Sequence, residues 1–493
     1  MDSQARAKVK EKLSDPWWRL THLYYIKDKK GKKVLFKPNW AQKFFYNNMW
    51  FMSVILKARQ LGMTTFIQIF MLDRCLFNNN IAAGVIAHNR EDAEDFFDKK
   101  IKFAFNNLPD WLKEERRASS DSAKMLAFSN GSSIRVGTSL RSGTYQYLHI
   151  SEFGKICAQR PDRAEEIIAG SINTVEAGCF VFIESTAEGA YGRFYDIFKD
   201  AEATTSLTKL DFKAFFFPWW KEPTYNLDAE VDVNDSDAEY FRKIEEEESM
   251  TLTDSQKAWY IKKQKTQRGK MKQEYPSTPE EAFESISEHA VYGAEFKKLR
   301  QQERIGSVPV DSLLPVYTFW DIGRSKTDAT CIWFMQERNG EYCFIDYIQD
   351  TQKPIGHYVA ELRNKGYNYG NHHLPHDADH NDFEMMTYKD RLAEAGITDV
   401  VIVPRIAALN IGIDETRQKL PFCRFDKERC KDGVVALERY SYGYDEKKGM
   451  YTEPVHNWAS HPSDAFRQFA QGYTPITNKK SEPIKYRVKH SIA

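Results

Sequence analysis

Three aspartates in the last third of the chain, Asp321, Asp377 and Asp464, form the pattern most able to do chemistry. Each lies where an apolar run ends or a helix is expected to begin, and packing gives no reason for a carboxylate there. Clustered carboxylate oxygens suit Mg²⁺ or Mn²⁺ better than Zn²⁺. Two such ions, about 3.5–4 Å apart, can activate a water and stabilise the leaving oxygen of a phosphodiester. The three aspartates therefore predict a metal site that hydrolyses nucleic acid.

Other acids and histidines near these aspartates are alternative or assisting groups. They are Asp328, Asp346 and Asp379 among the acids and His376, His380 and His461 among the histidines. A lone aspartate after a strand is more often a turn former or helix cap than a ligand. A histidine near acids is likewise more often a hydrogen-bond partner than a metal ligand. The prediction rests on the three aspartates occurring in this order.

A second candidate site is a loop in the N-terminal half. Its sequence is Lys57-Ala58-Arg59-Gln60-Leu61-Gly62-Met63-Thr64-Thr65. The loop stands between a short apolar run and a helix-like stretch, as a phosphate-binding loop does. Gly62 lets the backbone approach phosphates, and Thr64 can place its hydroxyl on Mg²⁺. Met63 stands where the usual lysine would be, so Lys57 or Arg59 must supply the positive charge; an ordinary strand-to-helix turn is the alternative.

Two further strand ends add to this loop. The run 147–150 leads into Ser151 and Glu152, and a glutamate there can orient the water that attacks ATP. Ser151 stands in place of the usual Mg²⁺-associated aspartate, although its hydroxyl can hold a metal-bound water. The run 179–183 leads into a small polar turn that begins with Ser185 and Thr186 and can sense the γ-phosphate. The alternative for that turn is a capped helix start.

The three aspartates need a sheet that brings them together. Apolar runs predict strands at Val316–Trp320, Cys331–Gln336 and Tyr342–Gln349, with a hairpin at Asn339-Gly340. The elements expected next are a helix over Ile355–Asn364, a strand running into His376 and Asp377, a helix over Phe383–Ala395, a strand over Val400–Pro404 and a helix beginning near Asp464. In this β-β-β-α-β-α-β-α order the first and fourth strands lie side by side. Asp321 and Asp377 would then be neighbours, and a helix packed on the sheet could bring Asp464 to them.

Taken in order, these segments resemble the large subunit of a tailed-phage terminase, the ATP-driven motor that packages DNA into a procapsid and cuts it. The resemblance covers nearly the whole chain. It is carried by Phe36-Lys37-Pro38-Asn39-Trp40-Ala41-Gln42, the loop from Lys57 to Thr65, Ser139–Thr144, Ser185-Thr186-Ala187, Gln273–Phe283 and the three aspartates. It implies an α/β fold with an N-terminal P-loop (ASCE-type) ATPase domain and a C-terminal ribonuclease-H-like nuclease domain.

The resemblance also implies roles for particular residues. Gln42 would read the adenine, Glu152 would be the catalytic base, Arg141 would be an arginine finger acting on a neighbouring subunit, Ser185 and Thr186 would couple hydrolysis to movement, and Asp321, Asp377 and Asp464 would hold the nuclease metal. A polar helix residue is the alternative for Gln42, and a solvated loop arginine is the alternative for Arg141. The implied cofactors are ATP and Mg²⁺, or Mn²⁺ in the nuclease site. The implied partners are double-stranded DNA, the terminase small subunit and the portal protein of the procapsid, with a homo-oligomeric ring when active and a monomer in isolation.

Composition fits a two-domain enzyme of 493 residues. We expect the ATPase domain at 1–212, a helical lid or linker segment at 213–300, the nuclease domain at 301–475 and a basic C-terminal tail at 476–493. Seven scattered cysteines argue against a disulfide framework and for a reducing compartment. No signal peptide or apolar span is evident, so we expect the host cytoplasm, a transient stay at the portal and no membrane.

The charge balance gives no argument for DNA binding, because 70 Lys and Arg residues are matched by 70 Asp and Glu residues. The stretch from Lys262 to Lys272 is the best local candidate for contact with DNA phosphates, with a charged helix surface as the alternative. Two other function classes stay open. A helicase or repair ATPase would need a second motor-like domain where the aspartates stand, and a non-enzymatic DNA-binding or assembly protein would have loops that only resemble active sites.

Overall fold

The computed structural model describes residues 11–140, 143–190, 192–267, 270–284, 290–323, 328–379, 386–445 and 450–475. Arg141, His380 and the tail at 476–493 lie outside the described residues. The chain divides into two compact units, Met1–Ser285 and Ile286–Ala493. The domain boundaries expected at 212 and 300 stay predictions. No helix within the described ranges is both long and apolar enough to cross a membrane.

A mostly parallel sheet of eight strands forms the centre of the first unit. The strands of this unit are β1 (Tyr25–Lys27), β2 (Lys33–Leu35), β3 (Met52–Lys57), β4 (Ala82–Ile86), β5 (Ala118–Asp121), β6 (Met125–Phe128), β7 (Ser133–Gly137), β8 (Tyr147–Ser151), β9 (Phe180–Ser185) and β10 (Phe212–Phe217). The order in the large sheet is β10-β3-β9-β8-β4-β7-β6-β5, and β1 pairs with β2 separately. Thus β9 lies between β3, which leads into the loop, and β8, which leads into Glu152. This is the ASCE strand order, as predicted.

Helices cover both faces of this sheet, which explains its near-continuous apolar strands. The α-helices are Pro16–His22, Trp40–Asn48, Met63–Phe77, Arg90–Phe96, Phe103–Asn106, Asp110–Glu115, Phe153–Gln159, Pro161–Gly170, Gly192–Ala203, Asp235–Glu247, Asp254–Gln267, Met271–Glu274 and Pro279–Phe283, with a π-helix at Phe97–Lys102 and 3₁₀ turns at Ile172–Thr174 and Trp219–Lys221. Successive β3 residues show the two faces. Ile55 belongs to the apolar cluster that contains the helix Met63–Phe77, whereas Val54 and Leu56 belong to the other cluster.

The second unit is built on a mixed sheet of seven strands. They are β11 (Ile305–Gly306), β12 (Val316–Asp321), β13 (Ala329–Arg338), β14 (Glu341–Thr351), β15 (Tyr369–Leu374), β16 (Val400–Ile402) and β17 (Cys423–Asp426), and β18 (Tyr442–Asp445) and β19 (Met450–Pro454) form a separate hairpin. The order is β11-β17-β14-β13-β12-β15-β16. The antiparallel meander β12–β14, with β15 parallel beside β12 and β16 parallel beside β15, confirms the predicted ribonuclease-H-like topology.

One helix fixes the geometry of the second unit. The helices are Gly293–Gln301, Ile355–Lys365, Tyr388–Glu394, Leu409–Lys419, Lys431–Arg439 and Ser460–Gly472, with 3₁₀ turns at His376–Asp379 and Leu420–Phe422. The helix Ser460–Gly472 packs Phe466 against Trp333 and Phe469 against Phe319 of the sheet, with ring centroids 5.4 Å apart in each pair.

The predicted helix over Phe383–Ala395 begins at Tyr388, because Thr387 caps it by accepting a hydrogen bond from the Asp390 backbone N–H at 3.0 Å.

Candidate active sites

The loop between β3 and the helix Met63–Phe77 is held in place by the helix Trp40–Asn48. Gln42 Nε2 donates to the Gly62 carbonyl at 2.8 Å, and Gln42 Oε1 accepts from the Asn39 backbone N–H at 3.0 Å. Gly62 has a φ of 72°, which favours glycine, and an added Cβ would lie 2.8 Å from Gln42 Nε2 and displace that amide. The Gln42 amide supports the loop in this structure, and its reading of adenine stays a prediction.

A fully buried carboxylate, Glu184 near the end of β9, occupies the centre of the first site. Its Oε1 accepts hydrogen bonds from Thr64 Oγ1 at 2.6 Å and from Ser151 Oγ at 2.8 Å. Lys57 Nζ lies 3.0 Å from Glu184 Oε2 and 3.4 Å from Glu152 Oε1. The structure thus brings four predicted residues together at the carboxyl ends of β3, β9 and β8, where a nucleotide phosphate can be met by a cation, a hydroxyl and a base.

The two candidate cations of the loop, Lys57 and Arg59, have different surroundings. Burial acts to lower the pKa of Lys57, but the charges of Glu152 and Glu184 raise the pKa above its ordinary value, so Lys57 is an ammonium. The Arg59 side chain is 54% exposed and pairs with Glu274 Oε1 at 3.0 Å instead. Met63 is buried in the apolar core. Lys57 is therefore the cation that faces the predicted catalytic base, and the contact of either cation with phosphate stays a prediction.

Glu152 has an unusual backbone conformation for a non-glycine residue, with a φ of 54° and a ψ of 44°. Such strain is common at functional sites. The Glu152 side chain is 32% exposed, so water can reach its carboxylate. A Cβ added to Gly154 would lie 2.7 Å from the Thr186 carbonyl oxygen and 2.9 Å from Ser185 Oγ. The predicted coupling turn therefore packs directly on the helix that follows Glu152. Thr65 is half-buried in the first turn of the helix Met63–Phe77.

Sequence reasoning missed three titratable residues at this site. Glu184 and His149 lie inside apolar strands, where the only signal was a polar residue in an apolar run; His149 Nε2 is 3.5 Å from Glu184 Oε1, and burial lowers the pKa of His149. Lys100 belongs to the π-helix, a geometry often found at functional sites. Burial lowers the pKa of Lys100 to about 8, while the charges of Glu184 and Glu152 oppose that shift.

The second site lies where β12 ends beneath the helix Ser460–Gly472. Asp321 Oδ2 is 2.9 Å from His461 Nδ1, and Asp464 Oδ1 is 2.5 Å from the Arg467 guanidinium. Burial raises the pKa of Asp321 to about 6, the charge of Asp464 adds to the rise, and the hydrogen bond from His461 opposes it. Two of the three predicted aspartates are thus close enough to repel each other, a situation that a bound cation relieves.

Asp377, the third aspartate, lies in the 3₁₀ turn directly after β15. The parallel register of β15 with β12, Phe319 opposite His373, carries Asp321 and Asp377 to the same edge of the sheet, as predicted. Asp346 lies elsewhere. Its carboxylate accepts from Lys365 Nζ at 2.6 Å and from the Tyr367 hydroxyl at 2.8 Å, so packing explains it.

Histidines extend the second site. Asp328, His456 and His461 each offer a ligand atom, and these atoms lie within 4.8 Å of one another. His461 therefore connects this group to Asp321. An imidazole ligand suits a transition-metal ion better than Mg²⁺, whereas the carboxylates suit Mg²⁺ or Mn²⁺. Sequence reasoning did not single out His456, because nothing in the spacing of a lone histidine indicated its approach to Asp328.

No protein-family model and no curated protein matches the chain. Solved structures do match it. The large terminase of bacteriophage HK97 is 12% identical over 93% of this chain and 98% of its own, with a TM-score of 0.47. The large terminase of a thermophilic bacteriophage is 13% identical over 88% of this chain and 97% of its own, with a TM-score of 0.32. The nuclease domain of the bacteriophage SPP1 large terminase, with bound Mn, is 14% identical over 32% of this chain and 87% of its own, with a TM-score of 0.27.

The solved structures to which this chain is similar are large terminases of bacteriophages.

Proposed function

We propose that this chain is the large subunit of a tailed-phage terminase, an ATP-driven motor that moves double-stranded viral DNA into a procapsid and a nuclease that cuts concatemeric DNA. One observation carries the proposal. A single chain places Lys57, Thr64 and Glu152 around one edge of an ASCE-type sheet, and brings Asp321, at one edge of a ribonuclease-H-like sheet, close to Asp464 of the helix packed on that sheet. The first arrangement suits phosphoryl transfer, and the second suits phosphodiester hydrolysis.

In the first unit, the loop residues bind and orient ATP. The free backbone N–H groups at the start of the helix Met63–Phe77 and the Lys57 ammonium stabilise the phosphate charge. Mg²⁺, when bound, neutralises the phosphate oxygens, and Thr64 offers a hydroxyl oxygen for it. Glu152 accepts a hydrogen bond from the attacking water and then takes its proton on a carboxylate oxygen. Lys57 faces Glu152 and Glu184. When ATP binds, its phosphates compete with these two carboxylates for the Lys57 ammonium.

In the second unit, the three aspartates would hold the metal ion. Asp321, Asp377 and Asp464 supply carboxylate oxygens for Mg²⁺ or Mn²⁺, which, when bound, activates water and stabilises the leaving oxygen. His461, which hydrogen-bonds Asp321 at 2.9 Å, orients that carboxylate. Arg467 neutralises part of the Asp464 charge and limits its repulsion of Asp321.

The proposal includes partners and place of action. Double-stranded DNA is the substrate of both units, the small subunit and the portal are the protein partners, and the active form is a homo-oligomeric ring at the portal in the host cytoplasm. In the ring, Arg141 reaches the ATP of the next subunit. The isolated monomer is then a poor ATPase, because an arginine finger contributes about 10³–10⁵ in rate.

Plasmid nicking tests the nuclease half. Purified protein is incubated with supercoiled plasmid in Mg²⁺, Mn²⁺ or EDTA, beside Asp321→Asn and, as a matched acid on the same sheet, Asp346→Asn. We expect nicking with either metal, none in EDTA and none with Asp321→Asn, whereas Asp346→Asn nicks if it stays folded. Cleavage by Asp321→Asn that still requires metal would contradict the assigned site.

The competing function is a non-enzymatic DNA-binding or assembly protein. The strained backbone of Glu152 and its approach to Lys57 argue for chemistry instead. ATP turnover separates the two functions. We expect Lys57→Ala and Glu152→Ala each to abolish turnover in protein that thermal melting shows to be folded, whereas unchanged turnover in both would favour the binding-only function.

A further inference from the structure

The ATPase site has a hydroxyl where a carboxylate is normally needed. Ser151 ends β8 at the place of the usual Mg²⁺-associated aspartate, and a serine oxygen carries no charge to attract a divalent cation. Hard cations such as Mg²⁺ are usually held through one or two carboxylates together with phosphate oxygens and water. Either this site binds its metal without a protein carboxylate, or another strand supplies one.

The adjacent strand offers a carboxylate at the same level. In the parallel pairing of β8 with β9, Ser151 is directly opposite Glu184. Glu184 is likewise opposite Ile55 of β3, two residues before Lys57. The Glu184 side chain is completely buried, yet it reaches both the loop and the end of β8. The carboxylate that is missing at position 151 is therefore present on the neighbouring strand, as Glu184.

Resting on the proposed ATPase function, we propose that Glu184 replaces the missing aspartate and positions the magnesium ion of Mg·ATP together with the Thr64 and Ser151 hydroxyls. All three side chains meet at one point, because Thr64 Oγ1 and Ser151 Oγ both donate to Glu184 Oε1, at 2.6 and 2.8 Å. They form a compact set of oxygens at the end of the phosphate-binding loop. Glu184 is a positioning residue for the metal, and Glu152 keeps the role of base.

A buried ion pair with Lys57 is the alternative explanation of Glu184. Lys57 Nζ approaches the other oxygen, Oε2, at 3.0 Å. Ion pairing therefore explains Oε2 and leaves the convergence of two hydroxyls on Oε1 unexplained. Lys57 also faces Glu152, so Lys57 would retain a carboxylate partner without Glu184. The metal role accounts for the hydroxyls at Oε1, and the ion pair with Lys57 accounts for Oε2.

Nucleotide binding with and without Mg²⁺ tests this role without relying on turnover. The affinity of the full chain for the fluorescent, non-hydrolysable analogue mant-AMPPNP is measured in Mg²⁺ and in EDTA. The variants are Glu184→Gln, which removes the charge at constant shape, and Glu184→Gln/Ser151→Asp, which restores a carboxylate at the usual place. Glu184→Asp keeps the charge but shortens the side chain by one methylene. Thermal melting checks the fold of each variant.

We expect Mg²⁺ to strengthen binding to the wild type and Glu184→Gln to lose about 10- to 100-fold of that strengthening without losing affinity in EDTA. The double variant should recover the strengthening of binding by Mg²⁺. If Glu184→Gln does not fold, Glu184→Asp decides, and it should need at least tenfold more Mg²⁺ for half of the effect. A normal Mg²⁺ effect in folded Glu184→Gln or Glu184→Asp would overturn the role of Glu184. Absence of nucleotide binding by the wild type would instead overturn the ATPase proposal.

Discussion

Asp321, partly buried at the end of β12, lies close to a second carboxylate, Asp464 of the helix Ser460–Gly472, and this makes its charge costly. Burial and the Asp464 charge raise the pKa of Asp321 to about 6, although the hydrogen bond from His461 opposes the rise. Above that pH the side chain is a carboxylate that can accept a metal. Below it, a metal ion must first displace a proton, so metal binding and proton binding compete.

The pH dependence of metal binding follows from this competition. We expect Mn²⁺ affinity at the Asp321 site to be nearly constant above pH 7 and to weaken roughly tenfold per pH unit below 6, where each bound metal releases a proton. Calorimetric titrations with Mn²⁺ at pH 5 and pH 7 measure this difference in affinity. The same titrations on Asp321→Asn give the Mn²⁺ binding at other sites, which is subtracted. Equal affinity at both pH values would contradict the raised pKa of Asp321.

Residues at strand ends could be predicted from sequence, whereas residues within strands could not. Lys57, Ser151 and Glu152 were found because an apolar run stops at each of them, and the structure brings them together. Glu184 lies one residue before the end of its strand, and its importance comes from the neighbouring strands that it reaches. Strand pairing is a property of the sheet, so a single apolar run could not reveal this carboxylate.

A buried ion pair ties the helix Pro16–His22 to the helix Met63–Phe77, which carries Thr64. Arg19 donates to both carboxylate oxygens of Asp73, at 2.9 and 2.7 Å, and the Tyr24 hydroxyl donates to the same carboxylate at 2.8 Å. Arg19 and Asp73 are both buried. Removing one partner of a buried pair leaves the other charge uncompensated, which is much more costly than losing a surface pair.

We therefore expect Asp73→Asn to lower the free energy of unfolding of the first unit by about 3–5 kcal/mol. Glu94→Gln, which breaks an exposed pair with Arg90, is the matched control and should leave the unfolding midpoint unchanged. Urea unfolding followed by tryptophan fluorescence compares the two variants with the wild type. Equal stability of Asp73→Asn and the wild type would show that the pair does not support the loop helix.

The order of elements in the second unit was predictable because strand length, the Asn339-Gly340 hairpin and apolar spacing agree. The start of the helix Tyr388–Glu394 was not, because a local capping box at Thr387 decides it. The added strands β11 and β17 were also missed. They extend the sheet beside β14 through short pairings that depend on distant segments of the chain.

An arginine finger supplied in trans, as proposed for Arg141, requires two subunits to complete one ATPase site. In the proposed ring, Arg141 of one copy completes the site that contains Glu152 of the next. An Arg141→Ala copy still has a base, and a Glu152→Ala copy still has a finger. We expect each variant alone to be inactive in ATP turnover and their mixture to recover activity that rises with protein concentration. No recovery over the concentration range at which the wild type is active would contradict a finger supplied in trans.

In the proposed function, one chain carries an ATPase site in its first unit and a separate metal-dependent nuclease site in its second. ATP turnover and plasmid nicking, measured side by side on the wild type, Glu152→Gln and Asp321→Asn, distinguish the two sites. We expect Glu152→Gln to lose turnover by about 10²-fold or more but still to nick DNA in Mn²⁺, whereas Asp321→Asn loses nicking and keeps turnover. Loss of both activities in either folded variant, or of neither in both, would contradict two separate sites.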